Sequence, residues 1–294
     1  MLAGCSVCIS KCPDMTFADS LQRNRLLLFG TLLLLAALYW RIVPAMVGQW
    51  YSDENYSHGF IVPLIAGWFL YERRAELLRE EVESWNPGLA VLGLGLCQLF
   101  LGFLAIEYFT MRSSLLVVLA GLLLFFFGRR IYRLTIFPLA YLVFMVPLPY
   151  IVYDSFAFPL KLFVTRLSVA FLKMIGVVVL REGNLILFPA TTLEVSDACS
   201  GMRSIVSLLA LSAAYALYLR TSGWRRWLLI FSALPIAVCT NALRIIVTGI
   251  LAQQWGAKAA EGFFHEGAGM VVFGLSMGML LLLGKLLKRE ELNL

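Results

Sequence analysis

The spacing of its apolar runs constrains this chain most. Long, nearly uncharged stretches recur from residue 26 to residue 284, and the basic residues fall mostly in short clusters between them. About twenty apolar residues are enough to cross a bilayer core of about 30 Å. The chain is 61% hydrophobic and 14% charged, whereas a soluble domain is about a quarter charged. The predicted fold class is therefore an all-α polytopic membrane protein. No long polar linker divides the runs, so one transmembrane domain over residues 26–294 is expected, after a cytoplasmic N-terminal tail of residues 1–25.

Eight spans are read, at 26–46, 58–72, 88–106, 114–128, 134–149, 200–219, 227–251 and 264–284. Arg23 and Arg25 precede the first, Arg73 and Arg74 follow the second, and Arg129, Arg130 and Arg133 follow the fourth. Arg220, Arg225 and Arg226 lie between the sixth and seventh, and Lys285, Lys288 and Arg289 close the eighth. With both termini cytoplasmic every cluster is inside; the opposite orientation exports all of them. The net charge of +6 is thus a topology signal that implies membrane lipids as neighbours. No basic patch interleaved with aromatics suggests nucleic acid.

Residues 153–176 are apolar but carry Lys161, Arg166 and Lys173 along their length. A span there would invert everything downstream. An amphipathic helix or re-entrant pair at the outer interface is expected instead. The stretch 177–195 has two β-rich runs around "REGN" and reads as a hairpin. Gly274 and Gly278 form a small-x-x-x-small pair suited to close helix approach.

Six cysteines are present. Cys97 and Cys239 lie inside apolar runs and read as packing residues. Cys5, Cys8 and Cys12 have no fourth ligand nearby, so neither a metal nor another cofactor is expected. Cys199 differs, because in "SDACSGMRS" a polar loop delivers it to the outer mouth of the sixth span. Unpaired amides and the positive end of the helix dipole favour a thiolate there, and the thiolate is the nucleophile. Asp197 suits the cap of the same helix end, and Ser200 suits an oxyanion. Arg203, four residues beyond Cys199 and one turn deeper, is placed to raise thiolate content or to bind substrate backbone.

In "CTNALRIIVTGI", Asn241 and Arg244 stand inside an apolar run. Arg244 lies about 25 Å up from the inner end of its span, near the outer surface. Snorkelling to the headgroups and a functional cavity are both open readings. His265, in "FFHEGAGMVVFG", and His58, in "YSHGF", both fall at outer ends of spans. Cysteine, arginine and histidine in one leaflet suit acyl transfer: the imidazole takes the thiol proton, then returns it to a leaving amine. Arg244 would stabilise the oxyanion or orient the carbonyl. Glu107, at the outer end of the third span, either joins this site or ends its helix. Asp53 and Glu54 offer acidic contacts for a substrate.

Four blocks, in this order, resemble the exosortase family of the exosortase/archaeosortase superfamily: "NYSHGFIVPLIAGWFLYERR" at 55–74, "DACSGMRS" at 197–204, "NALRI" at 241–245 and "HEGAGMVVF" at 265–273. The resemblance implies a cysteine protease/transpeptidase of the bacterial inner membrane, with its active site facing the periplasm. It places the catalytic trio on Cys199, Arg244 and His265. Archaeal relatives have arginine in place of that histidine, so His265 points to the bacterial branch. The implied partners are exported proteins ending in a short motif, a transmembrane helix and a basic tail, of the PEP-CTERM kind, together with an unknown acceptor. The rival reading is a non-enzymatic membrane component of polysaccharide export. The substrate motif, the acceptor and the oligomeric state are not legible here.

Overall fold

A computed structural model describes residues 15–189, 191–195, 201–219, 221, 223–255 and 263–292. The chain is α-helical apart from one small sheet, and its contacts gather into two compact units, Met1–Pro149 and Tyr150–Leu294. By length and composition alone, five helices suffice to cross a membrane. They become six if the bent pair Phe17–Arg23 and Arg25–Tyr39 forms one span.

In the first unit, α1 (Phe17–Arg23) lies within the stretch read as a tail and is docked. Phe17 N–H donates to the Glu80 carbonyl at 2.9 Å, and its ring packs edge-on to Phe127 at 4.8 Å. There follow α2 (Arg25–Tyr39), α3 (Ile42–Ser52), a 3-10 helix (Glu54–Phe60), α4 (Ile61–Glu72) and α5 (Arg74–Arg79). Helices α6 (Gly88–Ala105) and α7 (Tyr108–Tyr141) form an antiparallel pair, and a 3-10 turn (Leu142–Met145) ends the unit.

The α6–α7 contact is close because α6 offers a glycine every seven residues. A Cβ on Gly95 would lie 2.8 Å from the Val118 backbone nitrogen, and one on Gly102 would lie 2.9 Å from that of Met111. On the α7 side, a Cβ on Gly121 would strike the Leu92 backbone. Small residues at such crossings allow backbones to approach. The pair expected to do this, Gly274 and Gly278, has nothing within 4 Å of either position among the described residues.

Helix α7 is interrupted at Gly128, where φ is 80° and ψ is −170°. The chain reverses there. Arg112 bonds Gln49, while Met145 accepts from the neighbouring Trp50. Residues 112 and 145 would lie about 50 Å apart on a straight helix. The two arms correspond to the runs read separately at 114–128 and 134–149. At the Gly128 end the clusters meet: Arg130 pairs with Glu81 at 2.8 Å, Arg129 lies 4.7 Å from the Trp85 ring, and Arg73 donates to the Leu134 carbonyl at 3.4 Å.

The second unit comprises α8 (Tyr150–Met174), strands β1 (Leu180–Glu182), β2 (Leu185–Leu187) and β3 (Thr192–Glu194), then α9 (Met202–Tyr218), α10 (Gly223–Trp255) and α11 (Phe263–Leu292). The hairpin forms as read, turning at Gly183 with φ of 62°, and β3 adds an antiparallel third strand on β2. Ile186, Phe188 and Val195 are buried in a cluster with Leu172, Ala242, Ile245 and Ile246, so the sheet sits on α8 and α10. Gly249 touches the Phe188 ring and lies about 39 Å along α10 from Gly223. That distance puts the sheet at one rim of the helices.

The segment expected to be an interfacial helix or re-entrant pair is one unbroken helix, α8, whose length and composition would also suffice to cross. Its three cations are spaced so widely that the mean stays apolar. Its contacts nevertheless run from Tyr153 beside Met202 to Leu172 beside Gly249, toward the sheet end of α10. The opposite half of α10 packs with α9 and α11 through Leu208, Leu229, Ala233, Ala237, Leu280 and Leu287. Cys97 and Cys239 are exposed on outer helix faces rather than packed; each falls on the outward side of its helix turn.

Candidate functional site

One stretch of α10, residues 240–246, meets α8, the sheet cluster, the entry to α9 and α11. Thr240 Oγ1 meets Ser276 Oγ of α11 at 2.7 Å, both groups buried. Each hydroxyl also bonds a carbonyl of its own helix, at Ile236 and Val272. Such a buried hydroxyl pair fixes the register of two apolar helices that slide freely otherwise. Next to it, Asn241 is 2% exposed. Ser168 of α8 donates to the Ala242 carbonyl at 3.4 Å, and Ile245 and Ile246 carry the sheet.

Asn241 faces the start of α9. Gly201, the N-cap, has φ of 86°, and a Cβ built there would lie 2.8 Å from Asn241 Nδ2. This position requires glycine twice over: the left-handed backbone disfavours a side chain, and the neighbouring amide occupies the space. Met202 is then buried against Tyr153 and Ala157 of α8. The start of α9 is therefore held against both α8 and α10.

Arg244 lies three residues beyond Asn241, one turn on. It is partly buried and lies beside Gly269 of α11, where a Cβ would stand in ordinary contact 3.7 Å from Nη1. Along α10, Arg244 is about 31 Å from Gly223, at the rim where the sheet sits. The entry to α9, Asn241, Arg244 and the first turns of α11 thus converge.

Of the residues singled out in the sequence, Cys199, Ser200 and Asp197 lie outside the described residues. Gly201, two residues after Cys199, marks where that loop joins the helix. Arg203 stands in the first turn of α9, partly buried. His265 is the third residue of α11, four positions before Gly269.

His58 belongs to the first unit, in the 3-10 helix, and its Nε2 contacts the Phe144 carbonyl at 3.1 Å. Nearby, Trp50 Nε1 donates to the Met145 carbonyl at 2.8 Å, and Tyr56 donates to that of Leu148 at 3.4 Å. The block "NYSHGF" thereby occupies carbonyls freed where the second arm of α7 ends. Asp53 caps the same 3-10 helix by accepting from Asn55 N–H at 2.9 Å.

Glu107 caps its helix, the second of the two roles open to it. Its carboxylate accepts from Phe109 N–H at 3.1 Å and Thr110 N–H at 2.6 Å, capping α7. Burial pushes its carboxyl up, but those bonds and the Arg112 charge outweigh it and hold the group below its ordinary value. Arg112 itself escaped the sequence reading. It is 8% exposed and donates to Gln49 Oε1 at 2.6 Å, tying α7 to α3. Its signal was available: it is the one arginine between the third and fourth spans, opposite the basic clusters.

A family model described as transmembrane exosortase matches residues 50–282, taking in α10 with Asn241 and Arg244 and the start of α11 with His265. No curated protein and no solved structure matches the chain.

Proposed function

The chain belongs to the transmembrane exosortase family, and from that premise we propose that it is a membrane cysteine transpeptidase acting on exported proteins with PEP-CTERM-like tails. The observation that carries this reading is the convergence of the α9 entry, Asn241–Arg244 and α11 on one rim. Arg244 lies on that rim, His265 is in the first turn of α11, and Cys199 precedes the α9 entry by two residues in sequence.

The chemistry runs in two halves. His265 takes the Cys199 proton, and the sulfur attacks the scissile carbonyl carbon. The Arg244 guanidinium stabilises the resulting oxyanion. Collapse breaks the C–N bond, and the imidazolium protonates the departing amine, leaving a thioester. An acceptor amine, or water, then attacks with its proton taken by His265, and the thiol is restored. A substrate helix with its basic tail inside leaves its motif just outside, at the depth of Arg244. That placement supports a bacterial inner-membrane enzyme opening to the periplasm. The sheet on α10 supports a roof that favours an amine over water.

The test co-expresses the protein with tripartite-tailed candidates and traps the adduct on Cys199. A thioester whose mass matches the cleaved substrate is expected, and Cys199→Ala loses processing at normal protein level. Full processing by Cys199→Ala would remove the enzyme reading and leave the non-enzymatic export role.

A further inference from the structure

The opposite end of the second unit carries chemistry that acyl transfer does not use. Gly223 is the first residue of the apolar stretch Gly223–Leu251, so the residues beside it stand at a membrane boundary. The Arg225 guanidinium lies 5.9 Å from the centre of the Trp224 ring. Its Nε is buried and has no hydrogen-bond partner among the described residues. No described carboxylate lies within ion-pair distance of it. A buried guanidinium N–H left unmatched is costly, so a site keeping one is suited to an anion that supplies the acceptor.

The surroundings identify the kind of anion. Arg226 is alongside, its Nε donating to the Thr221 carbonyl at 3.0 Å. Leu287 of α11 packs in one cluster with Leu219 and Leu229, which brings Lys285 and Lys288 to the same end. Trp224, Trp227 and Phe231 are 65%, 59% and 56% exposed, spaced three and four apart along α10. The Trp227 and Phe231 rings stack at 6.0 Å. A soluble anion has no use for an apolar stripe that starts at the cation and runs into the span. A phospholipid has both parts.

We propose that this corner seats one anionic phospholipid, its phosphate on Arg225 and an acyl chain along Trp227 and Phe231. The site is separate from the proposed catalytic rim and independent of it. One interfacial cation is worth about a fivefold preference.

The test titrates delipidated protein with phosphatidylglycerol and phosphatidylcholine and counts bound lipid by native mass spectrometry. Wild type is expected to prefer phosphatidylglycerol about fivefold for one tightly held molecule. Arg225→Gln brings the ratio near one, Arg225→Lys keeps most of it, and Arg79→Gln, on exposed α5, leaves it unchanged. Equal binding of both lipids, an unaltered preference in Arg225→Gln, or an equal loss in Arg79→Gln overturns the proposal. Should Arg225→Gln fail to fold, brominated-chain lipids decide on wild type alone. Tryptophan quenching stronger with brominated phosphatidylglycerol supports the site, and equal quenching by brominated phosphatidylcholine refutes it.

Discussion

At Arg112 a buried guanidinium meets a neutral amide, because the nearby carboxylate of Glu107 is committed to its helix end. Replacing Arg112 by Leu is expected to cost about 2 kcal/mol, the worth of a charged hydrogen bond, with Lys recovering part; thermal melting in detergent measures both. Glu107 gives the pH signature. Its folded value is depressed, so its contribution is complete above the ordinary carboxyl value of 4.5 and is lost as pH falls through the folded one. The melting difference between wild type and Glu107→Gln should be present at neutral pH and shrink under acid. Gly201→Ala tests the candidate site without touching a reacting group. The left-handed backbone alone costs about 1–2 kcal/mol for alanine, so substrate processing should fall about tenfold while protein level holds. Cys199 and Arg244 stand out in the sequence because a polar or charged residue in or at the mouth of an apolar run is conspicuous. Gly201 was not, because its need for φ of 86° and its contact with Asn241 exist only once α9 and α10 are packed.

Among the elements, the glycine positions separate into those that matter and those that do not. Gly128→Ala places a side chain in a backbone region open almost only to glycine, at about 1–3 kcal/mol, and drives its Cβ into the Glu83 carbonyl. The melting temperature and yield should both drop. Gly93→Ala, in the same helical pair with nothing within 4 Å, should leave both unchanged or raised. Apolar run lengths predicted the helices, and "REGN" predicted the hairpin. Hydropathy did not distinguish a surface helix from a crossing one at α8, where only its contacts with Met202 and Gly249 show which part of α10 it accompanies. The heptad glycines of α6 were equally readable, yet Gly274 and Gly278 drew attention because their spacing is the familiar one.

On the scale of the molecule, the sorting of charge is the most transferable feature. Within the first unit Arg73, Arg129 and Arg130 share one end, while Asp53, Glu107 and Arg112 share the other. In a Cys199→Ala background, Glu182→Cys at the hairpin should react with a membrane-impermeant thiol reagent on intact cells. Arg79→Cys should react only after permeabilisation. The reverse pattern would invert the topology. The grouping of Arg73, Arg129 and Arg130 at one end was visible in the sequence as clusters between apolar runs; their partners Glu81 and Trp85 were not, because those contacts exist only in the packed unit.

The reversal at Gly128 also bears on how the chain is made. The turn is Gly128 followed at once by Arg129 and Arg130, and then by Arg133, so the connector between the two arms is short and strongly basic. Biogenesis therefore has to pass the arms as a hairpin whose charged tip stays on the side where synthesis begins.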